Sequence, residues 1–118
     1  MLLWAADGRL TGRAHEVLER GAGSVLVSAA TIWEIEIKRA AGRLDAPEDV
    51  AELVDHSGFE RLSIGFNHVR EAGRLPPIHG DPFDRMLIAQ ARLESLVLVT
   101  SDEMISRYDV QVLAVESG

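Results

Sequence analysis

The chain of 118 residues has no cysteine. That excludes disulfides, thiolate metal sites and a cysteine nucleophile, and it fits a reducing cytoplasm. Lysine occurs once, at Lys38, so the positive charge is almost entirely arginine, whose planar guanidinium suits carboxylate or phosphate. Aromatic residues make up only 5% and are not clustered, which leaves no stacking platform for single-stranded nucleic acid. Trp4 and Trp33 are therefore expected to be packing anchors. The apolar runs, such as Leu96 to Val99, are a handful of residues long. A membrane helix needs roughly 20, so no membrane association is expected. The first residues, Met1 to Asp7, carry no basic stretch of the kind that opens a secretory leader. The net charge of −7 argues against coating of nucleic acid by a basic surface, but leaves room for an enzyme that meets nucleic acid at one local site.

What is present is a globular composition, 47% hydrophobic and 26% charged, of a length that suits one domain over residues 1–118. Turn signals divide it into alternating segments. Thr11 can cap a helix through Ala14, Val17 and Leu18, stopped by Gly21 and Gly23. Ser24 to Ser28 reads as a short buried strand, and Ser28 can then cap a helix from about Ala29 to Ala41, ended by Gly42. Ile32 to Ile37 alternates like a strand, but the cap, the length and the terminal Lys38-Arg39 favour helix. Pro47 can open a helix through Val50, Leu53 and Val54, and Phe59 to Ile64 reads as a short strand. Asn67 to Arg74 looks helical and stops at Pro76-Pro77. Asp81-Pro82 begins the clearest helix, to about Glu94. Leu96 to Thr100 is a second buried strand, Ser101 to Arg107 a short helix and Val110 to Val115 a last strand. Strands alternating with helices predict an α/β fold with a mostly parallel sheet.

In such sheets ligands gather beyond the carboxyl ends of the strands. Helix N-termini lie at the same edge, and three acids fall there: Glu34, two turns into a helix, Asp84, in the first turn of another, and Asp102, just after a strand. A hard divalent cation would explain their gathering. Each also has a purely structural reading. Asp81 and Asp84 suit a helix cap and first turn, Asp102 suits a cap, and Glu34 suits a solvated or arginine-paired position. Thr100 and Ser101 suit turn or cap hydroxyls. His79, beside Gly80, reads as a loop residue, and the four scattered histidines form no zinc motif.

Four stretches resemble the PIN-domain family, specifically the VapC-type toxins of toxin–antitoxin pairs. Leu2-Leu3-Trp4 through Leu10 and the helix after it look like the family's first helix. Val27 to Lys38, with Thr31-Ile32-Trp33-Glu34, looks like its second motif. His79-Gly80-Asp81-Pro82-Phe83-Asp84-Arg85 through Ala91 is similar to the third and is the most diagnostic. Leu98-Val99-Thr100-Ser101-Asp102 looks like the fourth. The resemblance implies a three-layer α/β/α fold and Mg²⁺- or Mn²⁺-dependent cleavage of RNA. It places catalytic and metal-binding acids at Glu34, Asp84 and Asp102, with Thr100 as the accompanying hydroxyl and Asp81 as a helix cap. It also implies a cognate antitoxin partner and a homodimer, with Leu2, Leu3, Trp4, Val17 and Leu18 offering an apolar partner surface or, alternatively, core. The family's chain begins with an apolar strand ending in Asp. Here Met1-Leu2-Leu3-Trp4 comes first, so that strand and its Asp are expected to be missing and activity impaired.

Two other readings stand beside this one. A degenerate, non-catalytic module of the same family could bind an antitoxin or a sister subunit, and the missing acid favours it. A phosphoacceptor receiver domain has similar length and an acidic Mg²⁺ site, but needs a lysine at the end of its last strand, whereas Lys38 sits in a predicted helix.

Overall fold

A computed structural model describes residues 1–5, 25–43 and 49–114. Five strands form one parallel sheet: β1 (Leu2–Trp4), β2 (Val25–Ser28), β3 (Glu60–Leu62), β4 (Val97–Thr100) and β5 (Val112–Ala114), in the order β3-β2-β1-β4-β5. The chain moves outward from β1 through β2 to β3 and then crosses to β4 and β5. The order therefore reverses between β1 and β4, and a crevice opens there at the carboxyl edge. Four α-helices connect the strands among the described residues: α1 (Ala29–Ala40), α2 (Val50–His56), α3 (Phe66–Arg74) and α4 (Pro82–Glu94), with a 3-10 helix at Glu103–Arg107. This is the three-layer α/β/α arrangement with a parallel central sheet that the sequence predicts.

The contested segment is helical. Ser28 accepts the Ala30 N–H at 3.0 Å, the cap that directs Ile32 to Ile37 into α1. Asp49, rather than Pro47, caps α2 by accepting the Glu52 N–H at 3.0 Å. Pro47 lies outside the described residues, as do Val115 and the predicted helix from Thr11 with Val17 and Leu18. α4 begins as predicted, with Asp81 as its cap and Pro82 in its first turn. It ends at Ser95, whose φ of 55° turns the backbone sharply enough to feed β4 two residues later.

Leu2–Trp4 differ from the sequence expectation. They form not a helix but the short central strand β1, paired in parallel with β2 on one side and β4 on the other. Leu3 has no exposed surface and belongs to the core cluster with Leu87, Ile88, Leu98, Ile105 and Tyr108. The physical reason is non-local. Three apolar residues are too few for a helical period to assert itself, and an empty slot between β2 and β4 would leave both ladders unpaired. The strand does not end on a carboxylate. The next residue is Ala5, almost fully buried, whose N–H donates to Val99 O at 3.0 Å.

Candidate metal centre

Asp81 holds the start of α4 by accepting the N–H groups of Phe83 at 2.8 Å and Asp84 at 3.2 Å through Oδ1. With the helix so fixed, the buried Asp84 carboxylate projects from its first turn. At the end of β4 the buried Thr100 Oγ1 accepts the Asp102 N–H at 3.0 Å. Asp102 Oδ1 in turn accepts the Met104 N–H at 2.9 Å, capping the 3-10 helix. Its second oxygen, Oδ2, is left to face the crevice.

Between these acids stands His79. Its Nε2 lies 2.7 Å from Asp102 Oδ2 and 3.1 Å from Asp84 Oδ2, while Nδ1 accepts the Asp81 N–H at 3.1 Å. An Nδ1 that accepts is unprotonated, so the neutral ring carries its proton on Nε2, shared between the two carboxylates. Burial opposes a charge on this ring. The Asp102 hydrogen bond and the charges of Asp84, Asp102 and Asp81 outweigh burial and raise the His79 pKa above the ordinary imidazole value. Burial likewise pushes Asp102 upward, but the bonds from His79 and the Met104 N–H prevail and lower its pKa.

His79, Asp84 and Asp102 each offer one ligand atom, all within 4.8 Å of one another. Two hard oxygen donors and one imidazole nitrogen make a donor set capable of coordinating a divalent metal, at the sheet edge where the strand order reverses. Of the residues picked out by sequence, Asp84 and Asp102 thus face a common point, Asp81 is the expected cap, and Thr100 braces the backbone of Asp102. Glu34 is not among the three clustered groups. Its carboxylate pairs with Lys38 Nζ at 3.4 Å, one helical turn along α1. Trp33 is 62% exposed, but its ring meets Phe83, the neighbour of Asp84, edge-on at 5.2 Å. His79 is the residue that sequence reasoning passed over. Its signal was its place two residues before the cap of α4, which ties it to the edge that holds Asp84.

The loop bearing His79 is clamped from both sides. Arg85, next to Asp84, donates from Nη1 to Pro76 O at 3.1 Å and His79 O at 3.2 Å, and from Nη2 to Ala72 O at 2.9 Å and Leu75 O at 3.0 Å. Tyr108, just past the 3-10 helix that Asp102 begins, holds the same loop through its hydroxyl.

The family model of the PIN domain matches residues 1–111, so the chain belongs to the PIN-domain family. Among solved structures, it is similar to the DNA-bound VapBC of Salmonella typhimurium, with a TM-score of 0.72, 17% identity, and 96% of each chain covered. A toxin–antitoxin complex from Klebsiella pneumoniae gives a TM-score of 0.71 at 17% identity, covering 98% of this chain and 99% of that one. VapBC2 of Rickettsia felis, bound to a DNA fragment from its promoter, gives 0.71 at 16%, covering 98% and 100%. At these identities the likeness is one of fold. No curated protein matches the chain.

Proposed function

We propose that this chain is the toxin component of a toxin–antitoxin pair, a metal-dependent endoribonuclease that hydrolyses RNA phosphodiester bonds in the cytoplasm. The observation that carries the proposal is the convergence of the His79, Asp84 and Asp102 ligand atoms within 4.8 Å in a PIN-domain chain. Asp84 and Asp102 would hold Mg²⁺ or Mn²⁺, with His79 Nε2 as the third donor in the tautomer protonated at Nδ1, which gives up the bond from the Asp81 N–H. Glu34 is the further acid that the family resemblance assigns to the site, and Lys38 is its counter-ion. When bound, the ion supplies Lewis-acid stabilisation of phosphoryl oxygens and a more acidic water. The chain's own residues do the positioning. Asp81 fixes the first turn that aims Asp84, and Thr100 fixes the turn that aims Asp102. Antitoxin binding and homodimer formation belong to the same proposal, supported by the fold shared with toxin–antitoxin complexes.

Ala5 favours a second reading. The family resemblance puts an acid at the end of the first strand, whereas β1 here is Leu2–Trp4 and runs into the buried Ala5. A non-catalytic module that binds an antitoxin or sister subunit would tolerate this change. Incubating purified protein with structured RNA, with Mg²⁺ or with chelator, separates the two. Metal-dependent cleavage that Asp84→Asn abolishes supports the enzyme. Antitoxin binding with no cleavage under any metal supports the module and refutes the enzyme.

A further inference from the structure

We propose that Tyr108 is the positioning residue of the site, holding the His79 ring between Asp84 and Asp102 by gripping the backbone of the loop before it. The inference deepens the metal-site reading above and rests on it for its consequence, but its geometry stands independently.

Tyr108 is the one tyrosine in the chain. Its ring is buried in the core beside Ile105 and Leu75, so the hydroxyl has a fixed origin. That hydroxyl accepts the N–H groups of Ile78 at 3.2 Å and His79 at 2.8 Å, and donates to Pro76 O at 2.8 Å. One donor and two acceptor sites are the full capacity of a phenol; the three shorter contacts all go to one short loop, and Arg85 Nη1 stands farther off at 3.5 Å. Within itself the loop closes one bond, from the Ile78 N–H to Pro76 O at 2.8 Å, which leaves the His79 N–H to the tyrosine. Pro76 and Pro77 have no N–H to offer, and a side chain at Gly80 would meet nothing within 4 Å. Arg85 donates to the carbonyls of this loop and has no acceptor, so it cannot substitute for the tyrosine oxygen at the His79 N–H.

The connection to the site is direct. Fixing the His79 N–H fixes the Cα from which its ring reaches the two carboxylates, 2.7 and 3.1 Å away. Asp102 caps the 3-10 helix at one end and Tyr108 follows its other end, so one rigid element sets both the carboxylate and the backbone that presents its partner. Hydrogen-bond distances tolerate shifts of only a few tenths of an ångström, so a loosened loop takes the ring out of register.

Nuclear magnetic resonance of the metal-free protein tests this. In the wild type, at a pH where the ring is neutral, the His79 amide proton should exchange slowly and the His79 ring nitrogens should show a single tautomer, protonated at Nε2. Fast exchange at the His79 amide in the wild type overturns the proposal without any variant. Tyr108→Phe keeps the ring but removes the hydroxyl, and should average the His79 ring to the tautomer mixture of free imidazole. If that variant is poorly folded, trimethylamine N-oxide, which favours the compact state, is added to it and to the wild type alike. Val54→Ala, in α2 and away from the loop, serves as a variant of reduced stability with the loop intact. An unchanged His79 signature in Tyr108→Phe, or an equal change in Val54→Ala, overturns the proposal. Manganese titration then reads the consequence, with a weakening of tenfold or more expected for Tyr108→Phe. If wild-type protein binds no Mn²⁺, the metal-site reading fails while the ring signature still decides the positioning role.

Discussion

Replacing Arg85 with alanine should cost about 3 kcal/mol of folding stability. The side chain is half-buried and its guanidinium donates to four backbone carbonyls, those of Ala72, Leu75, Pro76 and His79, at 2.9 to 3.2 Å. Hydrogen bonds from charged donors contribute about 1.5–3 kcal/mol each when well buried, and roughly 1 when water can replace the donor. Taking the lower figure for all four gives about 4 kcal/mol, less about 1 for the more exposed Pro76 carbonyl. The charge also lies against the last turn of α3, where a cation is favourable. A domain of this size has about 5–15 kcal/mol in total, so the loss is a large fraction of it. With a urea slope of about 1.3 kcal/mol/M, the unfolding midpoint should fall by roughly 2 M. Arg85→Lys should recover about 1 kcal/mol, because an ammonium cannot span the fork of acceptors. Urea titrations followed by circular dichroism measure all three proteins. A loss below about 1 kcal/mol for the alanine variant would show that the carbonyls rehydrate freely and that Arg85 does not close this loop.

Further outcomes follow from the same geometry. The raised pKa of His79 means that its stabilising contribution is fully present below the ordinary value of 6.5 and fades as pH rises through the folded value. Asp102, lowered, contributes fully above its ordinary 3.8 and loses that contribution as pH falls through the folded value. A melting-temperature scan of metal-free protein should therefore show a decline on the alkaline side that His79→Gln removes; an identical decline in both proteins contradicts the assignment. Ser28→Ala, which deletes the fully buried cap of α1, should cost about 1 kcal/mol by urea denaturation, and no loss would mean that the helix start is held by packing alone. Ala5→Asp puts an acid at the end of β1. It should lower the melting temperature without metal, recover it with Mn²⁺ and raise RNA cleavage at least about tenfold, as a further hard anionic ligand would; no metal-dependent recovery would show that this position does not face the site.

Much of this architecture was legible because its signals are local. Ser28 before α1 and Asp81-Pro82 before α4 are short-range caps, and both helices begin there. Asp84 and Asp102 could be placed at one edge once strands and helices alternate, since parallel topology fixes which ends meet. The misreadings arise where distant pairing decides. Leu2-Leu3-Trp4 carries no period of its own, and its strand state comes from ladders to Val25-Leu26 and Val97–Val99. Trp33, expected to be a packing anchor, lies largely open and packs edge-on against Phe83. Trp4 does anchor, meeting Phe59 at 6.2 Å. His79 was hidden because its role depends on Arg85, Asp102 and Tyr108, none adjacent to it in sequence.

The central claim is that His79, Asp84 and Asp102 form a divalent-metal site. It is tested most directly by titrating Mn²⁺ into the purified protein and counting free ion by electron paramagnetic resonance. The wild type is predicted to bind one ion per chain, with affinity reduced at least about tenfold in Asp84→Asn and in Asp102→Asn, each of which removes a charged oxygen donor. Absence of binding by the wild type, or equal affinity in wild type and both variants, would contradict it.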